Sequence, residues 1–182
     1  MPSARTIRRI VEFAGRLRGV DAQVVREGLE IAHLHHRLEQ VIEDDLSGWG
    51  LTARQMEILE CLYHNPEETM TPAALAEEVL LSRSAMTSAL DALEKQGYTA
   101  RRPHPSDRRR VAVTLTPAGH RFMAAHLPER YRKFDRVMRG LSRQERALLL
   151  RTYRKVLALV VSALAEEGTK AGRGVERGGT TE

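Results

Sequence analysis

Apolar residues recur at intervals of three and four along most of this chain, and capping residues, prolines and glycines cut the pattern into separate helices. Residues 3–18 set Ile7, Ile10, Val11, Ala14 and Leu17 on one face, behind Ser3 as a cap and ahead of Gly19 as a stop. Asp21 is placed to cap a longer helix reaching about Leu46, with a stripe of Val24, Val25, Leu29, Ile31, Ala32, Leu34, Leu38, Val41 and Ile42; Gly48 and Gly50 end it. A stripe that wide predicts burial against more than one neighbour.

Thr52 and Gln55 form a capping-box pattern ahead of Met56, Ile58, Leu59, Leu62 and Tyr63, and Asn65-Pro66 should stop that helix. Thr71-Pro72 repeats the start signal for a short helix carrying Ala73, Leu75, Ala76 and Val79. After a brief turn Ser82 starts a third, with Ala85, Met86, Ala89, Leu90 and Leu93 inward and Gly97 as its stop. The period then changes to two. Residues 98–102 and 110–115 read as strands, the second alternating Val111, Val113 and Leu115 against Arg110, Ala112 and Thr114. The linking segment RPHPSDR looks too long for a two-residue turn, so an extended tip is expected. Thr116-Pro117 opens another helix, expected to break near Pro128, and Ser142 with Glu145 caps a last one through Leu148, Leu149, Val156, Leu157, Val160, Val161 and Leu164. Residues 168–182 have no apolar face and are expected to be disordered.

The chain has 182 residues, of which 42% are hydrophobic, enough for a real core; with 4% aromatics and much Ala, Leu, Arg and Glu, an all-β sandwich is excluded. No run approaches the roughly 18 apolar residues of a membrane span. The Arg-rich start has no signal-peptide core, and Cys61 is the one cysteine, so a cytoplasmic protein without disulfides, and without membrane association, is expected. The net charge of +5 is unevenly spread. Residues 21–46 carry seven acids against Arg26 and Arg37, and residues 51–80 carry six against Arg54. Residues 81–110 reverse this with seven bases against Asp91, Glu94 and Asp107, a candidate footprint for a polyanion.

Two short helices joined by a tight turn and followed by a basic hairpin are the parts of a winged helix-turn-helix, whose second helix enters the major groove of double-stranded DNA. On that helix Arg83, Ser84, Thr87, Ser88 and Asp91 are left outside the core; small polar groups near its N-terminus can approach bases and phosphates closely. The hairpin gathers Arg101, Arg102, Arg108, Arg109 and Arg110 around Asp107. A guanidinium on a stiff loop can enter the minor groove, and Asp107 is read as holding an arginine fork in one rotamer by bidentate bonding. Enzyme motifs such as GxSxG, a Walker loop, HExxH or GxGxxG are missing from the sequence, and no enzymatic activity or cofactor is expected.

From Leu51 to His120 the chain resembles the DNA-binding lobe of the MarR family. The resemblance rests on Leu51-Thr52-x-x-Gln55, Ser82-x-Ser84, Leu93-Glu94-x-x-Gly97, Asp107-Arg108-Arg109 and Leu115-Thr116-Pro117-x-Gly119. It implies a mainly α fold with a small β-hairpin wing, in which a winged helix-turn-helix lobe at 51–116 accompanies a helical dimerisation domain at 20–50 and 117–167. It also implies a homodimeric transcriptional regulator, usually a repressor, with the Asp107–Arg109 pair sending an arginine into the minor groove. The family often has a base near Ser88, so contacts there should be weaker in this chain. The helix within residues 1–19 exceeds the family minimum and is a candidate extension of the dimer interface.

Regulators of this kind typically bind a small phenolic or aromatic acid between the dimerisation helices and the lobe. Here His33, His36 and Arg37 could receive its carboxylate, with Met56 and Leu59 as apolar walls. The plainer alternative makes the histidines surface or interface polar groups. Metal sensing through His33, His36 and Glu30 lacks a fourth ligand nearby, so no metal site is assigned. Redox sensing at Cys61 is opposed by its apolar neighbours, which make it a core residue with a raised pKa. A winged helix that binds protein instead of DNA remains the other alternative, separable by the salt dependence of DNA binding.

Overall fold

The computed structural model describes residues 4–175, apart from the side chains of Ala4, Arg108 and 166–175. Ser3 as a cap and the last part of the expected tail, 176–182, lie outside the described residues. The chain divides into two compact units, Met1–Ala124 and Ala125–Glu182.

The first unit holds α1 (Ala4–Ala14), α2 (Ala22–Ser47), α3 (Ala53–His64), α4 (Pro72–Glu78), α5 (Arg83–Lys95), the hairpin β1 (Thr99–His104) and β2 (Asp107–Leu115), and the start of α6 (Pro117–Arg139). The capping residues do what their sequence positions demand. Asp21 accepts from the N–H groups of Gln23 and Val24, Thr71 from Ala74 ahead of Pro72, and Ser82 from Ala85. Thr52 and Gln55 complete both arms of the capping box. Such caps contribute about 1 kcal/mol each to the helices they start. One expected boundary moves: α1 stops at Ala14, and the chain turns through Gly19, at φ +80°, before α2.

The core of this unit is built from Leu46 of α2, Met56, Ile58 and Leu59 of α3, Leu75 of α4, Met86, Leu90 and Leu93 of α5, and Met123 of α6. Burying each of the larger side chains is worth about 1.5–3 kcal/mol against exposure. The lobe therefore has its own core.

The hairpin differs from expectation in three ways. The strands extend to His104 and from Asp107, which pair, so only Pro105 and Ser106 form the turn. Pro103 pairs with Val111 while His104 pairs with Asp107, so Arg108, Arg109 and Arg110 fall between two pairings with no partner on β1. The surplus length that ruled out a short turn is taken up in this bulge, where an interrupted ladder also tolerates a proline on the opposite strand. Val111, beside the bulge, is exposed, whereas Ala112 and Val113 are both buried. Val113 is covered from the far side, its N–H donating to Met70 O at 2.8 Å in a one-residue bridge that no sequence pattern announces.

The mouth of the hairpin is clasped. Thr116 N–H donates to Tyr98 O at 3.0 Å, and Thr116 Oγ1 donates to Gly97 O at 2.6 Å while accepting from Gly119 N–H at 3.0 Å. Gly119 is required there, because a Cβ would lie 2.2 Å from Tyr98 O.

The second unit contains the remainder of α6 and α7 (Arg143–Val175). Pro128 does not break α6, contrary to expectation. Proline removes one N–H donor, and the turns on either side keep theirs. Ser142 and Glu145 form the expected reciprocal cap, with Ser142 N–H to Glu145 Oε2 at 2.7 Å and Glu145 N–H to Ser142 Oγ at 3.2 Å. The backbone of α7 stays helical to Val175, past the point at which disorder was expected. Part of the α2 stripe packs within its unit, with Leu46 buried and Val25 and Leu29 half-buried, but Val24, Ile31 and Leu34 of α2 are exposed, and so are Leu148, Leu157 and Leu164 of α7.

Candidate nucleic-acid interface

Helix α5 is anchored by Met86, Leu90 and Leu93, which leaves Arg83, Ser84, Thr87, Ser88 and Asp91 exposed, together with Ala85, which was expected inward. Two hydroxyls on this face are tied to the helix itself. Thr87 Oγ1 donates to Arg83 O at 3.0 Å and Ser88 Oγ to Ser84 O at 3.2 Å. With those protons directed inward, the oxygens present lone pairs outward, which suits the amino groups of adenine or cytosine.

Arg101 does not join that face. Its Nη1 contacts Asp91 Oδ1 at 2.7 Å and Glu94 Oε2 at 2.6 Å, and its backbone N–H donates to Glu94 Oε1 at 2.7 Å. The side chain is 29% exposed, and the hydrogen bond to Asp91 leads the interactions that hold its proton more tightly than usual, against the opposing effect of burial. Arg101 thus braces β1 against α5, and its expected role as a phosphate or groove contact is withdrawn. Composition could not separate it from Arg102, which is exposed.

Asp107 also acts differently from expectation. Its Oδ1 accepts from the backbone N–H of Arg109 at 3.0 Å, so it shapes the bulge, and among the described side chains it holds no arginine fork. This is the two-residue turn that aspartate favours. At the opposite side of the tip, His104 Nδ1 lies 3.3 Å from Ser106 N and 3.1 Å from Ser106 Oγ. Arg109 and Arg110 are exposed on the bulge; the Arg108 side chain is outside the described residues.

Residues 51–111 match the MarR family. The HTH-type transcriptional repressor YetL of Bacillus subtilis is 26% identical over 142 residues, covering 78% of this chain and 85% of that protein. The transcriptional repressor MprA of Escherichia coli is 28% identical over 126 residues, covering 69% and 72%. A MarR variant from E. coli, solved in complex with operator DNA, superposes with a TM-score of 0.62 at 26% identity, over 74% of this chain and 96% of that one. Residues 51–111 carry a MarR-family domain, and the chain is a transcription regulator and not an enzyme. The Staphylococcus aureus MepR–DNA complex, at 19% identity and a TM-score of 0.65 over 74% of this chain and 97% of that one, shares the fold.

Set against the MarR-like effector reading, the expected pocket residues separate. Met56 and Leu59 are 0% exposed in the lobe core and cannot line an open pocket. They satisfy the helical apolar pattern that core and pocket walls share. His36 does border a cleft of about 390 Å³ between α2 and α3, but its companions are Glu39, Ile42, Glu43, Arg54 and Glu57. Arg37 is exposed and is not among the cleft's lining residues, and His33 keeps Nδ1 buried without a hydrogen-bond partner among the described residues. Arg54 pairs with Glu57 at 2.7 Å, and Glu43 accepts from Ala53 N–H at 2.9 Å, a second cap on α3 missed from sequence because its acceptor lies ten residues back.

Cys61 is half-buried, with Sγ 3.5 Å from Met70 Sδ. Burial, then Glu78 and Glu68, push its thiol up, which keeps it protonated and a poor nucleophile. Among the described residues no three His, Cys, Asp or Glu side chains cluster as a metal site would need, and no helix is long and apolar enough to cross a membrane.

Proposed function

We propose that this regulator binds double-stranded DNA as a homodimer and represses transcription from a pseudo-palindromic operator. The observation that carries the reading is the pairing of two surfaces on one lobe. The N-terminal face of α5 offers Arg83 and three hydroxyls, and the bulge of β2 places Arg108, Arg109 and Arg110 in sequence beyond the last regular pairing. The first fits a major groove and the second a minor groove, where narrow A·T tracts attract guanidinium groups. Arg102 adds a backbone contact.

The dimer is supported by the apolar faces left exposed on α2 and on the helices of the second unit. A soluble chain seldom leaves such stripes in water. A second copy covers both, with half-sites about one helical turn apart. Repression and release by a small effector follow the family pattern. The cleft beside His36 changes the expected chemistry of that effector. Glu39, Glu43 and Glu57 outnumber Arg54, itself paired, so a neutral or cationic head group fits better than an aromatic acid. The protein would act in the cytoplasm, beside the DNA it reads.

The test is anisotropy with DNA flanking the coding sequence, at several salt concentrations. Specific binding should weaken linearly in log–log form, with a slope of about −0.9 per phosphate neutralised. Binding that ignores salt, or a folded monomer that retains specific binding, refutes the proposal.

A further inference from the structure

Helices α4 and α5 end in the same hydrogen-bonded turn, and the two ends differ in one residue. After α5, Gly97 stands at φ +77°; its N–H donates to Glu94 O at 2.9 Å, and Tyr98 N–H donates to Leu93 O at 2.9 Å. After α4, Leu80 stands at φ +53°; its N–H reaches Glu77 O at 3.4 Å, and Leu81 N–H donates to Ala76 O at 2.8 Å. This is the left-handed closure that glycine usually occupies, because a Cβ there crowds the backbone. Leu80 is the one non-glycine residue at positive φ among the described residues, and it is 87% exposed. A glycine would close α4 without strain. Leucine adds strain and holds a branched apolar side chain in water, and neither stabilises the free protein.

The position of Leu80 supplies a use for it. It lies two residues before Ser82, the N-cap of α5, and lines a cleft of about 400 Å³ with Ala73, Ala76, Glu77, Leu81, Ser82 and Arg83. Its lining combines the apolar Ala73, Ala76 and Leu81 with Glu77 and with Ser82 and Arg83, the hydroxyl and guanidinium groups that open the reading face of α5. In helix-turn-helix docking, that end of the second helix approaches base edges in the major groove, where the apolar group on offer is the 5-methyl of thymine. We propose that Leu80 reads a thymine, packing its side chain on the 5-methyl group at the edge of the half-site. The inference rests on the DNA-binding reading above. It adds an apolar, position-specific contact to a face whose other exposed groups are mostly polar, and it removes water from both partners. Strained residues held in place by their surroundings tend to mark such functional positions.

The experiment begins with duplexes selected from a randomised pool by the full-length wild-type protein. Each symmetric pair of thymines in the selected site is then replaced by deoxyuridine, which removes only the methyl group. Affinities of wild type, Leu80→Gly and Leu80→Asn are compared at one salt concentration. The wild type should lose about four- to fifteenfold at one thymine pair, the scale of partly to fully burying a methyl on each half-site. Both variants should bind the thymine and deoxyuridine duplexes alike at that pair, keep the wild-type salt slope, and unfold at no lower denaturant concentration. Variants that retain the wild-type preference for thymine, or a wild type indifferent to deoxyuridine everywhere, overturn the proposal. A wild type that selects no sequence and binds DNA without salt dependence overturns the DNA-binding reading first, so the two failures are distinct.

Discussion

Replacing Arg101 with methionine keeps the aliphatic stem and removes the guanidinium that joins the wing to α5. Two contacts are lost, to Glu94 Oε2 at 2.6 Å and Asp91 Oδ1 at 2.7 Å. Asp91 is 60% exposed, so its share falls in the surface range of about 0.2–1 kcal/mol. Glu94 and Arg101 are each 29% exposed, and a charge-assisted bond between them contributes about 1–2 kcal/mol after that partial solvation. The bond from Arg101 N–H to Glu94 Oε1 survives the change. Arg101→Met should therefore destabilise the protein by about 2 kcal/mol in urea unfolding. Affinity for DNA should fall as well, because the wing is then less firmly set against α5. The salt slope is the discriminating measurement. A brace touches no phosphate, so the slope should stay at the wild-type value, whereas loss of a phosphate contact would reduce it by about 0.9. Glu94→Gln should also weaken binding despite making the protein more positive. A shallower slope for Arg101→Met together with tighter binding by Glu94→Gln would show that Arg101 faces DNA and that the bracing role is wrong.

Gly119→Ala places a Cβ against the Tyr98 carbonyl, and since backbone cannot turn aside the loss should be at least about 2 kcal/mol in chemical denaturation; an unchanged midpoint would refute the clasp. Asp107→Ala frees the Arg109 N–H and should loosen the bulge, lowering operator affinity severalfold with the salt slope kept, while Asp107→Asn, which retains the acceptor, should bind near wild type; equal losses in both would point to the charge. Hydrogen bonds from Ser142 hold the Glu145 carboxyl below the ordinary carboxylate range. Its contribution is present above the unfolded-state pKa and disappears as pH falls through the lowered folded value, so the start of α7 should fray in acid by amide exchange, and Glu145→Gln should flatten that dependence.

Much of the architecture was legible because capping is local chemistry. Asp21, Thr52, Thr71, Ser82 and Ser142 each bind N–H groups two or three residues away, and a sequence displays that spacing directly. The misreadings have the opposite character. Arg101 and Arg102 are chemically equal until the chain brings Asp91 and Glu94 beside one of them. Met56 and Leu59 carry the same helical signature whether they face a cleft or a core. The bulge came from a three-residue slip in pairing, for which a run of arginines gives no sign, and the bridge from Met70 to Val113 joins positions far apart in the chain. Leucine carries no turn signal, so nothing in the sequence marks Leu80 as the residue at positive φ; the hydrogen bonds that close α4 hold it there.

The clasp of Thr116 onto Gly97 and Tyr98 makes the wing a loop tied at its neck. Closing the neck fixes where the strands leave α5 and where they enter α6, whatever lies farther out. Residues can then be inserted, removed or exchanged at the tip for little more than the slowly rising entropy of a longer loop. Such a wing can be retuned for a different groove while the lobe that carries it keeps its own core, and a lineage could change what this part of the protein reads without refolding the rest.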